Sequence, residues 1–366
     1  MTKENEKHNT KQTREIFLRS IIDYFKRGEK SPCNLTIGIE LEFFVVKKDK
    51  DGNFKRIHYK GENGVEEILK ELFEKVSDEA KQVAEIFSEG HLIGFQAPDY
   101  SVTLEPGAQL ELSIKPVRET KEAREIYDSF IVLIESIIKP RNIELLSCSY
   151  SPDVSEKFSP LIPKKRYEYM DEWFLKTGTM GREMMRNTCS TQLTFDYCDE
   201  ADFVKKYRTA VRLKDEIIKE YDNPPMIPRL NEVEYKHIRS KIWKNVDPKR
   251  CDTPPGVFDD DFGYLSYAKY IMDVSPIVIE RKINKEIHCV YVGTKTVGEL
   301  WEEGLLTCED IPHILSMVFP EVRLRDYIEI RYADSLPASK AFEYMEKMKS
   351  LIYDGEFIEK NGGFLC

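Results

Sequence analysis

The sequence predicts an α+β protein built on antiparallel strands. Three observations point there. Short segments alternate apolar and polar residues, as half-buried strands do. Other segments space their apolar residues for one face of a helix. The two kinds follow one another without the regular strand–helix–strand rhythm of a doubly wound sheet. No internal repeat, low-complexity linker or domain boundary interrupts the 366 residues. Residues 13–366 therefore read as a single domain behind a frayed, disordered tail at 1–12.

In chain order, a helix is predicted over 13–27, where Ile16, Phe17, Ile21, Tyr24 and Phe25 fall near helical spacing. The stretch "RGEKSPCN" ends it and delivers the chain to a strand, "TIGIELEFFVV" at 36–46. Asp51-Gly52 in "DKDGN" is a hairpin signal. Helices are predicted over 65–88 and 121–138, and between them "SVTLEPGAQLELSI" is strand broken by Pro106-Gly107. A Pro- and Lys-rich loop, "SPLIPKKRYEYM", leads to the strand "STQLTFDY", followed by a helix over 200–221. Two proline-bearing loops, "DNPPMIPRLNE" and "DTPPGVFDDDFG", precede a late strand, "RDYIEIRYAD", and a closing helix near 338–350.

Composition narrows the function. The chain is 41% hydrophobic and 33% charged, with a formal net charge of -10. That balance suits a large core and argues against nucleic-acid binding, which needs a clustered basic surface. No apolar run approaches the ~18–20 residues of a membrane helix, and the first fifteen residues lack a signal-peptide core. Eight cysteines form no CxxC pair and no zinc spacing, which predicts reduced, mostly buried thiols in a cytoplasmic protein.

The strands share one peculiarity. In the first, Ile37, Ile39, Leu41, Phe43 and Val45 face one way while Gly38, Glu40 and Glu42 face the other. In "QLELSI", Gln109, Glu111 and Ser113 oppose Leu110, Leu112 and Ile114, with Glu105 just before the Pro-Gly turn. In the third strand Gln192, Thr194 and Asp196 alternate with Leu193 and Phe195; in the fourth, Glu329 and Arg331 alternate with Ile328 and Ile330. Any one of these is an ordinary solvent face. As a set they are too acidic and lack the lysines common on exposed strands. Carboxylates gathered on one surface suit a hard cation such as Mg²⁺, which also removes their mutual repulsion. Mg²⁺ held this way usually presents a polyphosphate, hence ATP. No GxxxxGK[ST] loop and no strand-following GxGxxG is present, and the lone "DFG" at 261–263 lacks its kinase partners.

Five segments in order, "IGIELEFF", "TLEPGAQLELS", "CSTQLTFDY", "VFDDDFGYLSYAKYIMDV" and "FPEVRLRDYIEIRYAD", resemble the glutamate–cysteine ligases, especially the branch shared by plants and many proteobacteria. The resemblance implies a six-stranded antiparallel sheet curled into a half-barrel or funnel and flanked by helices, a catalytic core of the glutamine-synthetase kind. It implies ATP-dependent joining of the γ-carboxylate of glutamate to the amine of cysteine through an acyl phosphate, with two or three Mg²⁺ ions (Mn²⁺ substituting). Carried over position by position, Glu40, Glu42, Glu105, Glu111 and Glu329 are the implied metal ligands, with Gln192 at a further metal-binding or site-lining position. Arg331 is implied to contact the transferring phosphate and Arg239 a substrate carboxylate or phosphate; Arg166 and Arg250 also match family positions. The implied partners are small molecules only, with no nucleic acid or membrane, in a monomer or homodimer.

Three departures qualify the match. The branch usually reads M-M-F-R-T-C-T, whereas "MMRNTCS" puts Arg186 one place early and Asn187 at the arginine position, which on a strand would turn the guanidinium to the other face. R-G-A-D-G becomes "RYADS", with Tyr332 at a glycine position. The plant-like enzymes also continue well past this motif, whereas this chain stops soon after. Two other readings stand beside the first: a related ligase joining a different carboxylate and amine, and a non-catalytic binding or regulatory homologue.

Overall fold

The computed structural model describes residues 3–226, 235–283 and 286–363. Residues 227–232 of the first proline-bearing loop, and Cys366, lie outside them.

Strand β1 (Ile37–Lys48) is the spine of the molecule. Its first half pairs antiparallel with β6 (Leu110–Val117) on one side and β8 (Ser190–Phe195) on the other. Past Phe43 its partners become β7 (Ile143–Leu146) and β2 (Phe54–Arg56). The sheet continues from β6 through β5 (Tyr100–Leu104) and β4 (His91–Gln96) to β3 (Ala84–Ser88). From β8 it continues through β12 (Ile328–Asp334) to β11 (Val322–Leu324). Among the described residues this makes one antiparallel sheet of ten strands, where the resemblance implied six. A separate hairpin, β9 (Ile277–Ile283) and β10 (Glu286–Gly293), stands off the sheet.

The alternation predicted for β1 holds in its first half. Ile37, Ile39, Leu41, Phe43 and Val45 enter the main core with the apolar faces of β6, β8 and β12. Past the carboxylates the other face turns apolar too. Phe44 and Val46 form a small second core with Cys148 and Cys189, and the Arg56 guanidinium lies 5.0 Å from the Phe44 ring centroid. Helices flank the sheet: α1 (Lys3–Arg27), α2 (Val65–Glu79), α3 (Thr120–Ile138), α4 (Lys165–Thr177), α5 (Gly181–Asn187) and α6 (Glu200–Glu220). Shorter ones follow, namely α7 (Ile238–Trp243), α8 (Pro248–Cys251), α9 (Tyr264–Met272), α10 (Val297–Glu302) and α11 (Ile311–Leu315). The chain closes on α12 (Ala338–Ile352) and α13 (Gly355–Gly362). None of the described helices is long and apolar enough to cross a membrane.

Several expectations are corrected here. The first helix begins at Lys3, so residues 3–12 belong to it rather than to a tail. The helix expected over 65–88 stops at Glu79, and 84–96 form the β3–β4 hairpin. Its turn is Glu89-Gly90, with φ of 50° and 76°. Two successive left-handed residues turn a hairpin and cannot continue a right-handed helix. Arg186 and Asn187 end a helix, not a strand, so they diverge by about 100° rather than 180°. The helix near 338–350 is followed by α13, which packs on α6. The seven described cysteines are free, as expected, but only Cys148, Cys189 and Cys251 are fully buried.

The Pro106-Gly107 turn that carries Glu105 is held tightly. Ile162 N–H donates to Pro106 O at 3.0 Å, and Arg56 Nη2 donates to Gly107 O. A Cβ on Gly107 would meet Arg186 O at 2.8 Å and Arg56 Nη2 at 3.0 Å. Gly107→Ala is therefore expected to destabilise the fold by about 1–3 kcal/mol, the usual cost of forcing atoms into a packed site, read as a lower urea midpoint at unchanged slope.

Candidate functional site

The polar face of the sheet floors a cavity of about 250 Å³. Register explains how its carboxylates meet. Glu42 of β1 stands opposite Glu111 of β6, and Glu40 stands opposite Ser113 of β6 and Gln192 of β8. Across β8, Thr194 stands opposite Glu329 of β12. A bulge between Ile330 and Ala333 then re-aims β12, and Arg331 reaches Gln192. Glu105, at the start of the β5–β6 turn, completes the rim.

The five carboxylates are not equivalent. Glu329, 1% exposed, is gripped by the Arg323 fork at both oxygens and by Arg331 Nη1 at 3.1 Å. Burial alone would raise its pKa, but Arg323 and Arg331 outweigh it and hold the group at about 2. Glu42, 7% exposed, accepts from Ser190 N, Ser190 Oγ and Gln192 Nε2, each at 2.7 Å. Glu111 accepts from Thr103 Oγ1 at 2.7 Å and Ser113 Oγ at 3.3 Å. Burial raises its pKa, with Glu42 adding repulsion. The carboxylates of Glu40 and Glu105 make no hydrogen bond or ion pair among the described residues. Burial, then repulsion from Glu111 and Glu329, raises Glu40 well above the usual carboxylate range. Burial, then Glu111 and Glu42, pushes Glu105 up to about 8.

Cations form the walls. Arg239 of α7 is buried, donates through Nη2 to Arg331 O at 2.7 Å, and stacks 5.7 Å from the Trp243 ring centroid. Arg166 of α4 donates to Ser316 O at 3.1 Å. An apolar corner is made by Tyr167, Met170, Met184, Trp243 and Phe319.

Of the residues singled out in the sequence, Glu40, Glu42, Glu105, Glu111, Gln192, Glu329, Arg166, Arg239 and Arg331 all line this cavity. Gln192 bridges Glu42 and Arg331 rather than standing free. Arg186, Asn187 and Arg250 do not line it. Arg186 is paired with Asp171 at 2.5 Å, and Asn187 bonds Lys157 O at 2.7 Å. Arg250 is buried against Asp247, with Ser275 O and Met317 O as further acceptors. Each is drawn off by a partner from elsewhere in the fold. Tyr332 points away as well, its hydroxyl donating to Ala210 O at 3.3 Å, so it does not crowd the cavity. Arg323 was missed. Its signal lay in "VRLRDYIEI", where a three-residue turn pairs Arg323 with Glu329.

The floor offers hard oxygen donors, and two of its half-buried carboxylates, Glu40 and Glu105, have no side-chain partner among the described residues. That donor set fits divalent cations by chemistry. Among the described residues, however, no three His, Cys, Asp or Glu side chains converge on a single ion-sized point.

The sequence model of glutamate–cysteine ligase family 2 matches residues 36–359. The chain belongs to this family. Among its relatives, chloroplastic glutamate–cysteine ligase B of Oryza sativa subsp. japonica is 30% identical over 351 residues, covering 95% of this chain and 68% of that one. The Arabidopsis thaliana chloroplastic glutamate–cysteine ligase is 28% identical over 355 residues, covering 95% and 65%. A solved complex of the ubiquitin-like protein Pup with its ligase PafA aligns at 13% identity with a TM-score of 0.29, covering 89% of this chain and 65% of that one. A likeness that low carries no argument. In this ligase-family chain the sequence match and the cavity coincide, because all five carboxylates of the matched motifs line the same pocket.

The charge distribution predicts a pH dependence. The folded protein keeps a proton on Glu105 up to about pH 8, whereas an ordinary glutamate loses it near 4.5. Between those values the folded state binds more protons, so stability falls as pH rises. Urea unfolding in EDTA should show that decline across this window, and Glu105→Gln should flatten it. Glu329 acts oppositely: its contribution is complete above pH 4.5 and is lost as pH falls toward 2.

Proposed function

We propose that this chain is a glutamate–cysteine ligase. ATP transfers its γ-phosphoryl group to the γ-carboxylate of glutamate, and the amine of cysteine displaces phosphate from the acyl phosphate. The product, γ-glutamylcysteine, is a precursor of glutathione-type thiols. The observation that carries this reading is a sheet face bearing five carboxylates beneath two adjacent guanidiniums, Arg239 and Arg331, in a chain of this family.

The chemistry asks for each part. A carboxylate is a poor electrophile, and phosphorylation supplies a leaving group. Charge spreads over the phosphoryl oxygens in flight, and pre-placed cations stabilise it without reorganising. Arg331 is suited to that contact because Glu329, Gln192 and the β12 bulge fix its direction. Arg239, buried beside it, would hold a substrate carboxylate or phosphate, with Arg166 on a further wall. Mg²⁺ would be held by Glu40, Glu105 and Glu111, with Glu42 and Glu329 behind them, and when bound would screen the polyphosphate. The apolar corner of Met170, Met184, Trp243 and Phe319 suits an acceptor with a small, uncharged, soft side chain such as a thiol. Asn187 stands outside the cavity, so that departure from the family changes the support of the site rather than its lining.

The test is phosphate release by the purified protein with ATP, Mg²⁺ and glutamate, on adding cysteine or a panel of other amines. Turnover with cysteine is expected; turnover only with another pair would reassign the substrates, and none with any pair would leave a binding protein. Glu40→Gln should lower kcat by about 100-fold or more with the fold intact by circular dichroism. Mg²⁺ binding at pH 7 should release protons, because Glu105, pushed up to about 8, holds its proton in the metal-free protein. Calorimetry in two buffers of different ionisation enthalpy reads that release.

A further inference from the structure

We propose that Asp222 is a positioning residue for Arg239 and, through it, for the cationic wall of the cavity; this rests on the role just proposed for Arg239. Asp222 lies where the chain leaves α6, remote in sequence from the motifs that line the site. Its Oδ1 accepts the backbone N–H of His237 at 2.9 Å, and its Oδ2 lies 3.4 Å from His237 Nδ1. His237 is the residue from which α7 starts. It has φ of 53°, a left-handed conformation uncommon for a residue with a side chain, and it makes no side-chain cap bond to the helix. With six residues, α7 is too short to hold its own geometry. Its starting direction depends on an acceptor supplied from outside, and Asp222 is that acceptor. Arg239 follows two residues later, with Nη2 on Arg331 O and its guanidinium over Trp243.

Asp222 is itself anchored to the floor of the site through its neighbour. Asn223 N–H donates to Asp334 Oδ2 at 2.8 Å, and the Asn223 amide donates to Ser147 O at 3.0 Å and Ser335 O at 2.7 Å. Ser335 Oγ in turn donates to the backbone carbonyl of Glu42 at 2.5 Å. Residues 222–223 thus tie the end of β12, the end of β7 and the carboxylate strand to the start of α7. The aim of Arg239 is set relative to Glu42 and Arg331 by this strap.

A double-variant cycle separates aiming from plain helix capping. Asp222→Ala is expected to shift the same kinetic parameter as Arg239→Ala, by about tenfold or more. The combined variant should lose no more than Arg239→Ala alone. Asp222→Asn, which keeps an acceptor oxygen for His237, should restore most of the loss. A second readout is independent of turnover. Protein labelled with 5-fluorotryptophan carries three probes, Trp173, Trp243 and Trp301, and Trp243→Phe assigns the one beneath Arg239. Asp222→Ala should move that fluorine resonance as Arg239→Ala does and leave the other two in place. Losses that multiply in the combined variant, or a Trp243 resonance unmoved in Asp222→Ala, would overturn the inference. If the wild-type protein turned over no glutamate and cysteine, the proposed function would fall, while the fluorine resonance would still decide for or against Asp222.

Discussion

Repulsion among carboxylates held on one face of a sheet is the constraint around which the rest of the structure is arranged. Two unit charges 4 Å apart repel by roughly 4 kcal/mol at the effective dielectric of a protein surface, and more where water is excluded. Register forces the approach: Glu42 faces Glu111 across one ladder, and Glu40 shares their face two residues away. The fold answers this repulsion unevenly. Glu329 is neutralised by Arg323 and Arg331, and Glu42 is held by Ser190 and Gln192. Among the described residues the Glu40 and Glu105 carboxylates are left without partners, and burial with repulsion from their neighbours raises the pKa of both. The site is thus half rigid and half unsatisfied, and the unsatisfied half is where a cation has most to gain.

The rigid half needs the core behind it. Each carboxylate on β1, β6 and β12 alternates with an apolar residue buried in one continuous cluster, so a shift of one residue would bury charge and expose Leu41, Leu112 and Ile330 together. The second small core, with Phe44 and Val46 under Arg56, fixes β1 on its other face just beyond Glu42. Arg56 also reaches the carbonyls of Gly107 and Arg186. The turn bearing Glu105 and the helix leading into β8 are therefore held by one side chain. Removing water from this guanidinium lowers its pKa to about 10, with no carboxylate in direct contact among the described residues.

The walls have a different origin from the floor. Arg166 comes from the start of α4, Arg239 from a short helix more than seventy residues later, and Arg323 and Arg331 from a late hairpin. Their convergence depends on how helices lie over the sheet, with Arg239 set on a carbonyl of the β12 bulge. Such placement can change without altering the strands.

Alternation in "IGIELEFF", "QLELS" and "YIEIR" was enough to say that Glu40, Glu42, Glu111 and Glu329 lie opposite an apolar face, because side-chain direction along a strand has a strict period of two. The motifs in order were enough to name the family. The hairpin at 84–96 was hidden because apolar spacing in a short segment fits helix and strand alike, and the left-handed Glu89-Gly90 turn decided between them. Arg186, Asn187 and Arg250 matched or bordered motif positions, yet their partners Asp171, Lys157 and Asp247 hold them outside the cavity. The sequence by itself determined which face of each strand carries charge, since that depends on neighbours along the chain. Only the tertiary structure decided which charges meet, which are already neutralised and which stand free, because hydrogen bonds such as Glu42 to Ser190 and His237 to Asp222 join segments whose distance along the chain carries no record of their contact.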